Sequence, residues 1–341
     1  MKFKISHLFL ILSVLFFSIT FSSCDTSQVP TLPDIIPLPA FTDNIPYSVL
    51  GSGKIAFERI GRQKNSNYFG IILVDIDKAT VETLSGVISF PALSPNGDKI
   101  AFSAQSSLSF SYDIFVMSID GTVWDNISTT PEDDLYPAWS PDQQKIYFYN
   151  SPIYTNGVQH LIVQSPYSGA SDRQYLPDDN YPMGPISISS DKIVYYGNLS
   201  PSGIYTTDLD GNNPNLILAK PSNRYLESPC FSPDGNSIAY LSVDRDSTKL
   251  YHSVEVKIMN VDGSSPKSII AVPAGGNTEF SNADQINNVT VCWSPDGKKL
   301  LFNVPEDNQV SHIYVVNVDG TGLTKITSLS GITDRKVTWS K

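Results

Sequence analysis

From about residue 50 onward, apolar and polar positions alternate in short bursts, and the bursts recur. Five segments align: Pro91–Phe102 (PALSPNGDKIAF), Pro137–Phe148 (PAWSPDQQKIYF), Ile186–Tyr195 (ISISSDKIVY), Pro229–Tyr240 (PCFSPDGNSIAY) and Val291–Phe302 (VCWSPDGKKLLF). Each is followed by a further alternating run that ends in a turn, such as Asp113–Gly121 (DIFVMSIDG) and His312–Gly320 (HIYVVNVDG), and then by a short fourth run such as Leu323–Thr327 (LTKIT). Period-two alternation marks strands with two distinct faces. In the Pro-Asp-Gly turns, Pro presets φ and Gly takes the positive φ that closes a hairpin, while Asp-Gly is a two-residue hairpin signal. One unit therefore reads strand, turn, strand, variable loop, strand, turn, strand. Four antiparallel strands repeating about every 45 residues make a propeller blade.

The first strand of each unit carries one large core residue: Leu93, Trp139, Ile188, Phe231 and Trp293, at intervals of 46, 49, 43 and 62. The long interval places an insertion in the unit that begins at Phe231. The two ends complete the count. Lys336–Lys341 (KVTWSK) matches Thr290–Pro295 (TVCWSP), and Gly51–Phe57 (GSGKIAF) matches the turn and second strand. The expectation is an all-β, six-bladed β-propeller of four-stranded antiparallel blades, its ring closed by the C-terminal strand, which completes blade 1. A closed ring protects most sheet edges. The fold expected is a monomer.

Ser-Pro-Asp-Gly followed by Lys-Ile-Ala-Phe-like and Asp-Ile-Phe-Val strands resembles the WD-like repeat of TolB-type six-bladed propellers, over residues 50–341. The resemblance implies the fold strongly and the function weakly. TolB proteins carry an additional N-terminal α/β domain. The stretch between Cys24 and the first strand is too short for one, so a propeller lacking that domain is expected.

Residues 1–23 read as a secretory signal: Lys2 and Lys4, then a mostly apolar run from Leu8 to Phe21. Ser22 and Ser23 precede Cys24, which resembles the acylation site of bacterial lipoproteins. Residues 24–46 form a tether from that Cys, with Pro30, Pro33, Pro37, Pro39 and Pro46 favouring extended geometry. Residues 47–341 are the propeller domain. This predicts an exported protein, lipid-anchored to an envelope membrane, with the outer membrane favoured, and no other membrane contact. The net charge is −11, and loss of Lys2 and Lys4 takes it to −13. So acidic a body excludes non-specific nucleic-acid binding, which needs a basic face. Three Cys are too few for a disulfide scaffold.

Chemical motifs are sparse. Gly51-Ser-Gly-Lys54 opens a strand and lacks the spacing of a phosphate loop. His160, His252 and His312 fall on separate units, whereas oligogalacturonate lyases, on a related propeller, use a histidine-rich metal site. Cys230 and Cys292 share one rank with Ala92, Ala138, Ser187 and Thr338, small residues suited to a narrow inner strand; an interblade disulfide is the alternative. Function is sought on the face shared by the loops that enter first strands and those that join second to third strands. Asp134, Tyr136, Tyr181, Arg224, Tyr225, Glu227, Asp334 and Arg335 are the candidate binding residues at the channel mouth there, beside Met183 and Asn288. Asp134, Glu227 and Asp334 come from alternate blades and could form a solvated polar rim or gather a Ca2+-like cation. No catalytic residue and no other cofactor is expected. The reading is a binding module for an envelope protein or peptide, with a glycan as the second target. The alternative is a metal-assisted polysaccharide lyase or a hydrolase.

Overall fold

The computed structural model describes residues 43–341 apart from 64–65, 87, 106–110, 122–123, 130, 152–159, 165–171, 177–181, 199, 246–250, 276–288 and 307–309. β1 (Lys54–Gln63), β2 (Ser66–Asp75) and β3 (Thr80–Ser85) pair in sequence order. Blade 2 is β4 (Ile88–Leu93), β5 (Lys99–Gln105), β6 (Tyr112–Ser118) and β7 (Trp124–Asn126). Blade 3 is β8 (Asp133–Trp139), β9 (Ile146–Ser151), β10 (His160–Gln164) and β11 (Gln174–Tyr175). Blade 4 is β12 (Pro182–Ile188), β13 (Lys192–Gly197), β14 (Gly203–Asp208) and β15 (Asn215–Ala219). Blade 5 is β16 (Tyr225–Phe231), β17 (Ser237–Arg245), β18 (Tyr251–Asn260) and β19 (Lys267–Pro273). Blade 6 is β20 (Val291–Trp293), β21 (Lys299–Glu306), β22 (Val310–Asn317) and β23 (Thr324–Lys325).

The last strand, β24 (Ile332–Ser340), pairs with β1 from Lys54–Ser340 to Gly61–Ile332 and so becomes the inner strand of blade 1. A single parallel pair, Ser311 with Thr333, joins blades 6 and 1 into one eight-stranded sheet. The chain is thus an all-β propeller of four-stranded antiparallel blades, and its two ends share one blade.

The repeated residues do specific work. The motif Ser closes its hairpin: Ser140 donates to Asp142 at 2.6 Å and accepts from the Lys145 N–H at 2.9 Å. Ser232 and Ser294 do the same with Asp234 (2.5 Å) and Asp296 (2.6 Å). Blade 4 has lost the Pro and Gly, yet Ser189 still donates to Asp191 at 3.1 Å. The core Trp residues stitch neighbours together. The indole N–H of Trp139 donates to Ala92 O (3.0 Å) and that of Trp293 to Cys230 O (3.2 Å), so each bulky ring is buried with its polar atom satisfied. Inner-strand hydroxyls reach across as well: Ser228 accepts from Val291 N, and Thr290 from Val337 N.

Apolar cores lie between blades. Ala56, Ile71 and Leu73 of blade 1 pack on Ile88, Leu93 and Phe102 of blade 2. Ile55, Phe57 and Trp339 pack on Leu301, Ile313 and Ile326 of blade 6. The packed body begins before residue 47. Ile45 (5% exposed) and Leu50 (1%) fill the seam between blades 6 and 1, as part of a strap that includes a single helical turn, Tyr47–Leu50. Among the described residues no helix is long and apolar enough to cross a membrane.

Candidate functional site

Antiparallel pairing decides which loops share a face. Asp133, at the start of β8, lies opposite Ser151, and His160, at the start of β10, lies opposite Asn150. Entrances to inner strands and second-to-third connections therefore lie on one side of the ring. On that side five inner strands carry a bulge, and in four of them a non-glycine residue takes the left-handed backbone. Phe90, Tyr136, Ser228 and Lys336 each sit three residues before the core residue of their strand and take positive φ of 52–56°. Each sits at or beside a register slip. A bulge re-aims the side chains around it. Here it brings three blades into contact: the Lys336 ammonium lies 3.4 Å from the Phe90 ring centroid, and the Phe90 ring 4.0 Å from that of Tyr136.

Beneath this contact lies a buried charge cluster shared by the two chain ends. Arg59 donates from Nε and Nη2 to both oxygens of Asp334, each at 2.7 Å, and from Nη2 to Asp43 at 2.7 Å. Glu58 meets Arg335 at 3.2 Å and Lys336 at 3.0 Å, and accepts from the Ser89 hydroxyl at 2.9 Å. The side chains of all six charged members are at most 5% exposed. Arg59 shares its sheet face with Phe57, toward blade 6; Glu58 shares its face with Ala56, toward blade 2. Both flanks of the closing blade are therefore fastened by charge. Burial alone would raise the Glu58 carboxyl, but the attraction and hydrogen bonds of Arg335 and Lys336 outweigh it and hold Glu58 below the ordinary range. At Asp334 burial prevails over Arg59 and pushes the carboxyl up.

The structure buries what the sequence suggests as a rim. Asp134 and Asp334 are 0% exposed, and Glu227 and Arg335 are 2%. Asp134 accepts from Asn150 (2.8 Å) and pairs with Arg173 (3.2 Å). Among the described residues, no group of three or more His, Cys, Asp or Glu is arranged to hold a metal ion, so Asp134, Glu227 and Asp334 are not gathered as such a group. Tyr136 contacts Phe90 and Tyr149. Arg224 reaches Ser242 O and the Ser253 hydroxyl, both at 3.4 Å, and Lys220 lies over the Tyr225 ring at 4.7 Å. Cys24, Tyr181, Asn288 and the side chain of Met183 lie outside the described residues, as do most of the insertions on this face. His252 is exposed, and His312, 3% exposed, lies inside β22. Cys230 and Cys292 are free thiols, half-buried like the four small residues of the same rank. Sequence reasoning missed Glu58, Arg59 and Lys336. The signal was present once β24 is laid against β1: Glu58 falls opposite Arg335, and Arg59 opposite Asp334.

No family model matches the chain. Among curated proteins it is similar to the Tol-Pal system protein TolB of Anaeromyxobacter dehalogenans, 29% identical over 136 residues, which is 40% of this chain and 26% of that protein. A second TolB, from Thioalkalivibrio sulfidiphilus, is 32% identical over 28% of this chain and 18% of its own length. The matched segments thus span about a quarter or less of these relatives. Among solved structures, TolB from Acinetobacter baumannii superposes with a TM-score of 0.64 at 18% identity, over 84% of this chain and 66% of that one. The propeller is TolB-like. An oligogalacturonate lyase in complex with manganese also shares the fold, at a TM-score of 0.52, 11% identity and coverage of 77% and 76%. At such identities the structural likenesses speak for the TolB-like propeller as a fold.

Proposed function

We propose that this TolB-like propeller is an exported lipoprotein, acylated at Cys24 and held at an envelope membrane, that binds a protein or peptide partner with its loop-bearing face. The observation that carries the reading is how the charges of that face are used. Asp334, Glu58 and Asp134 each meet a buried cation or amide of the protein itself, at 2.7–3.2 Å. They fix the scaffold, and what remains for an outside ligand is surface: Tyr136, Arg224 and Tyr225 are half-buried there. Tyr and Arg are the residue types that anchor protein interfaces. The curated relatives are named as proteins of the Tol-Pal system, which agrees with a protein partner. A net charge of −13 after signal removal favours a partner with a basic patch.

The path of the chain supports the same face. Asp43 is pinned between Arg59 and the Ser328 N–H (2.7 Å each), so the described chain begins at the loop-bearing side. At about 3.1 Å per residue, the stretch from Cys24 to Asp43 would reach about 60 Å at most. The partner is then a component of the same membrane or its near space.

Photo-crosslinkers at Arg224 and Tyr225, in intact cells, are expected to capture one protein that is not captured from Gly235 or Asp296 on the opposite side. A Cys24→Ser chain is expected in the soluble fraction. Equal capture from both sides, or metal-dependent turnover of a glycan panel, would overturn the binding reading. Membrane retention of the Cys24→Ser chain would overturn the anchor alone.

A further inference from the structure

A cleft of about 690 Å3 opens on the loop-bearing side of blade 6, between the end of β19 and the link from β23 to β24. Its ionic groups cancel. The Glu306 carboxylate accepts from Lys325 Nζ at 2.8 and 3.0 Å and from the Tyr314 hydroxyl at 2.6 Å. Burial alone would raise this carboxyl, but these hydrogen bonds hold it low and ionised beside its ammonium partner. An ion entering the cleft thus meets a pair with no net charge.

His312 lines the same cleft and is 3% exposed. Its Nδ1 is enclosed with no hydrogen-bond partner. An unmet acceptor costs less than an unmet donor, which puts the ring proton on Nε2. Burial, reinforced by Lys325, keeps the ring neutral at pH 7. Nε2 lies 3.8 Å from Glu306 Oε2, too far for a direct hydrogen bond. A donor and an acceptor therefore face the same gap. A hydroxyl answers both, accepting from the imidazole and donating to the carboxylate.

The walls select among hydroxyl ligands. Ser328 and Ser330 put exposed hydroxyls on one rim, while Pro273 and Ala274 give the other wall an apolar patch. A peptide would seek backbone partners, yet the Gly275 N–H is taken by Pro305 O (3.1 Å) and the Ser328 N–H by Asp43 (2.7 Å). A sugar ring needs what remains: several hydroxyl partners and an apolar face for its C–H groups. From these contacts we propose that the cleft is a binding site for a neutral oligosaccharide, with one ring hydroxyl bridging His312 Nε2 and Glu306. This goes beyond the protein-binding reading and uses a different part of the face.

The test uses the full-length protein in a detergent without a sugar headgroup, on an array of neutral and acidic oligosaccharides, followed by calorimetric titration of the strongest neutral ligand. Expected are signals from neutral glycans, with uronic-acid oligomers weaker by roughly tenfold or more, because no net positive charge repays desolvation of their carboxylates. Ser330→Trp, at an exposed position, fills the cleft without touching the core and is expected to abolish binding with an unchanged melt. His312→Phe is expected to weaken it by roughly tenfold or more, through loss of one hydrogen bond in a desolvated site. An array silent for neutral glycans, a preference for acidic ones, or unaltered binding by Ser330→Trp would each overturn the assignment. If His312→Phe does not fold, Ser330→Trp decides alone.

Discussion

Removal of single carboxylates from the closing blade tests its charge cluster most sharply, because the two candidates differ in what they leave behind. Glu58→Ala removes the carboxylate shared by two buried cations, Arg335 and Lys336, which meet Glu58 at 3.2 and 3.0 Å and are 2% and 5% exposed at the side chain. It also removes the acceptor of the Ser89 hydroxyl. Asp334→Ala takes two 2.7 Å bonds from Arg59 but leaves that guanidinium paired with Asp43 at 2.7 Å. Loss of one partner of a buried pair costs about 3–5 kcal/mol, chiefly through the uncompensated charge. Glu58→Ala therefore belongs at about 5 kcal/mol and Asp334→Ala at about 3 kcal/mol. Lys78→Ala is the control: its pair with Asp75 leaves Lys78 72% exposed at the side chain, and loss of such a surface pair costs about 0.5 kcal/mol. Urea unfolding followed by tryptophan fluorescence reads all three, since an unchanged slope with a shifted midpoint reports stability alone. In a thermal scan Glu58→Ala should melt roughly 10–15 °C lower. A Glu58→Ala protein within about 1 kcal/mol of the parent, or less destabilised than Asp334→Ala, would refute the assignment of the cluster as a fastening.

Three further outcomes follow from named contacts. Because Glu58 is held below its ordinary range, its contribution is present above the unfolded carboxyl value of about 4.3 and lost as pH falls through the lower folded value. The stability gap between the parent and Glu58→Gln should thus narrow between about pH 4.5 and pH 3, as pH-dependent urea midpoints would show. Gly97 and Gly235 hold the same rank in the Pro-Asn/Asp-Gly turn with φ of 70° and 74°, but a Cβ on Gly97 would meet Lys341 O at 1.9 Å, whereas Gly235 has open space. Gly235→Ala should cost about 1 kcal/mol, from the left-handed backbone alone, and Gly97→Ala clearly more, as urea midpoints will show. Burial pushes the Cys230 thiol up to about 12 and the Cys292 thiol well above its usual value. Both should react with a disulfide reagent at pH 8 far more slowly in the native protein than in the unfolded chain; a fast phase in the native state would contradict this.

Periodicity and turn chemistry were enough to read the blades, because each strand alternates and each hairpin is closed by residues with little choice of geometry. They also placed Trp339 on an inner strand beside β1, where its indole now donates to Ser52 O at 3.1 Å. The charges at the channel end were not legible from alternation. Asp334, Arg335 and Lys336 stand in succession, which reads as a solvated rim, yet strands at this joint are covered on both faces and the bulge at Lys336 turns a third charge inward. Only the complementary order on the two paired strands, Glu58-Arg59 against Asp334-Arg335, carries that information, and it becomes visible after the pairing is known. The cleft of blade 6 was equally hidden, since Glu306, His312 and Lys325 come from three strands and no local pattern groups them. The strap at 43–50 was obscured by the Pro-rich composition that precedes it, although Ile45 and Leu50 are buried in the seam.

Closure of the ring by its own two ends is best tested by deleting Lys336–Lys341, the stretch that holds Trp339, the Lys336 contact with Glu58 and most of the hydrogen-bonded turn-side half of the β24–β1 pairing. Calorimetry of the shortened chain should show no cooperative transition, with aggregation through the exposed edge of β1. A single cooperative melt at the temperature of the intact protein would contradict it.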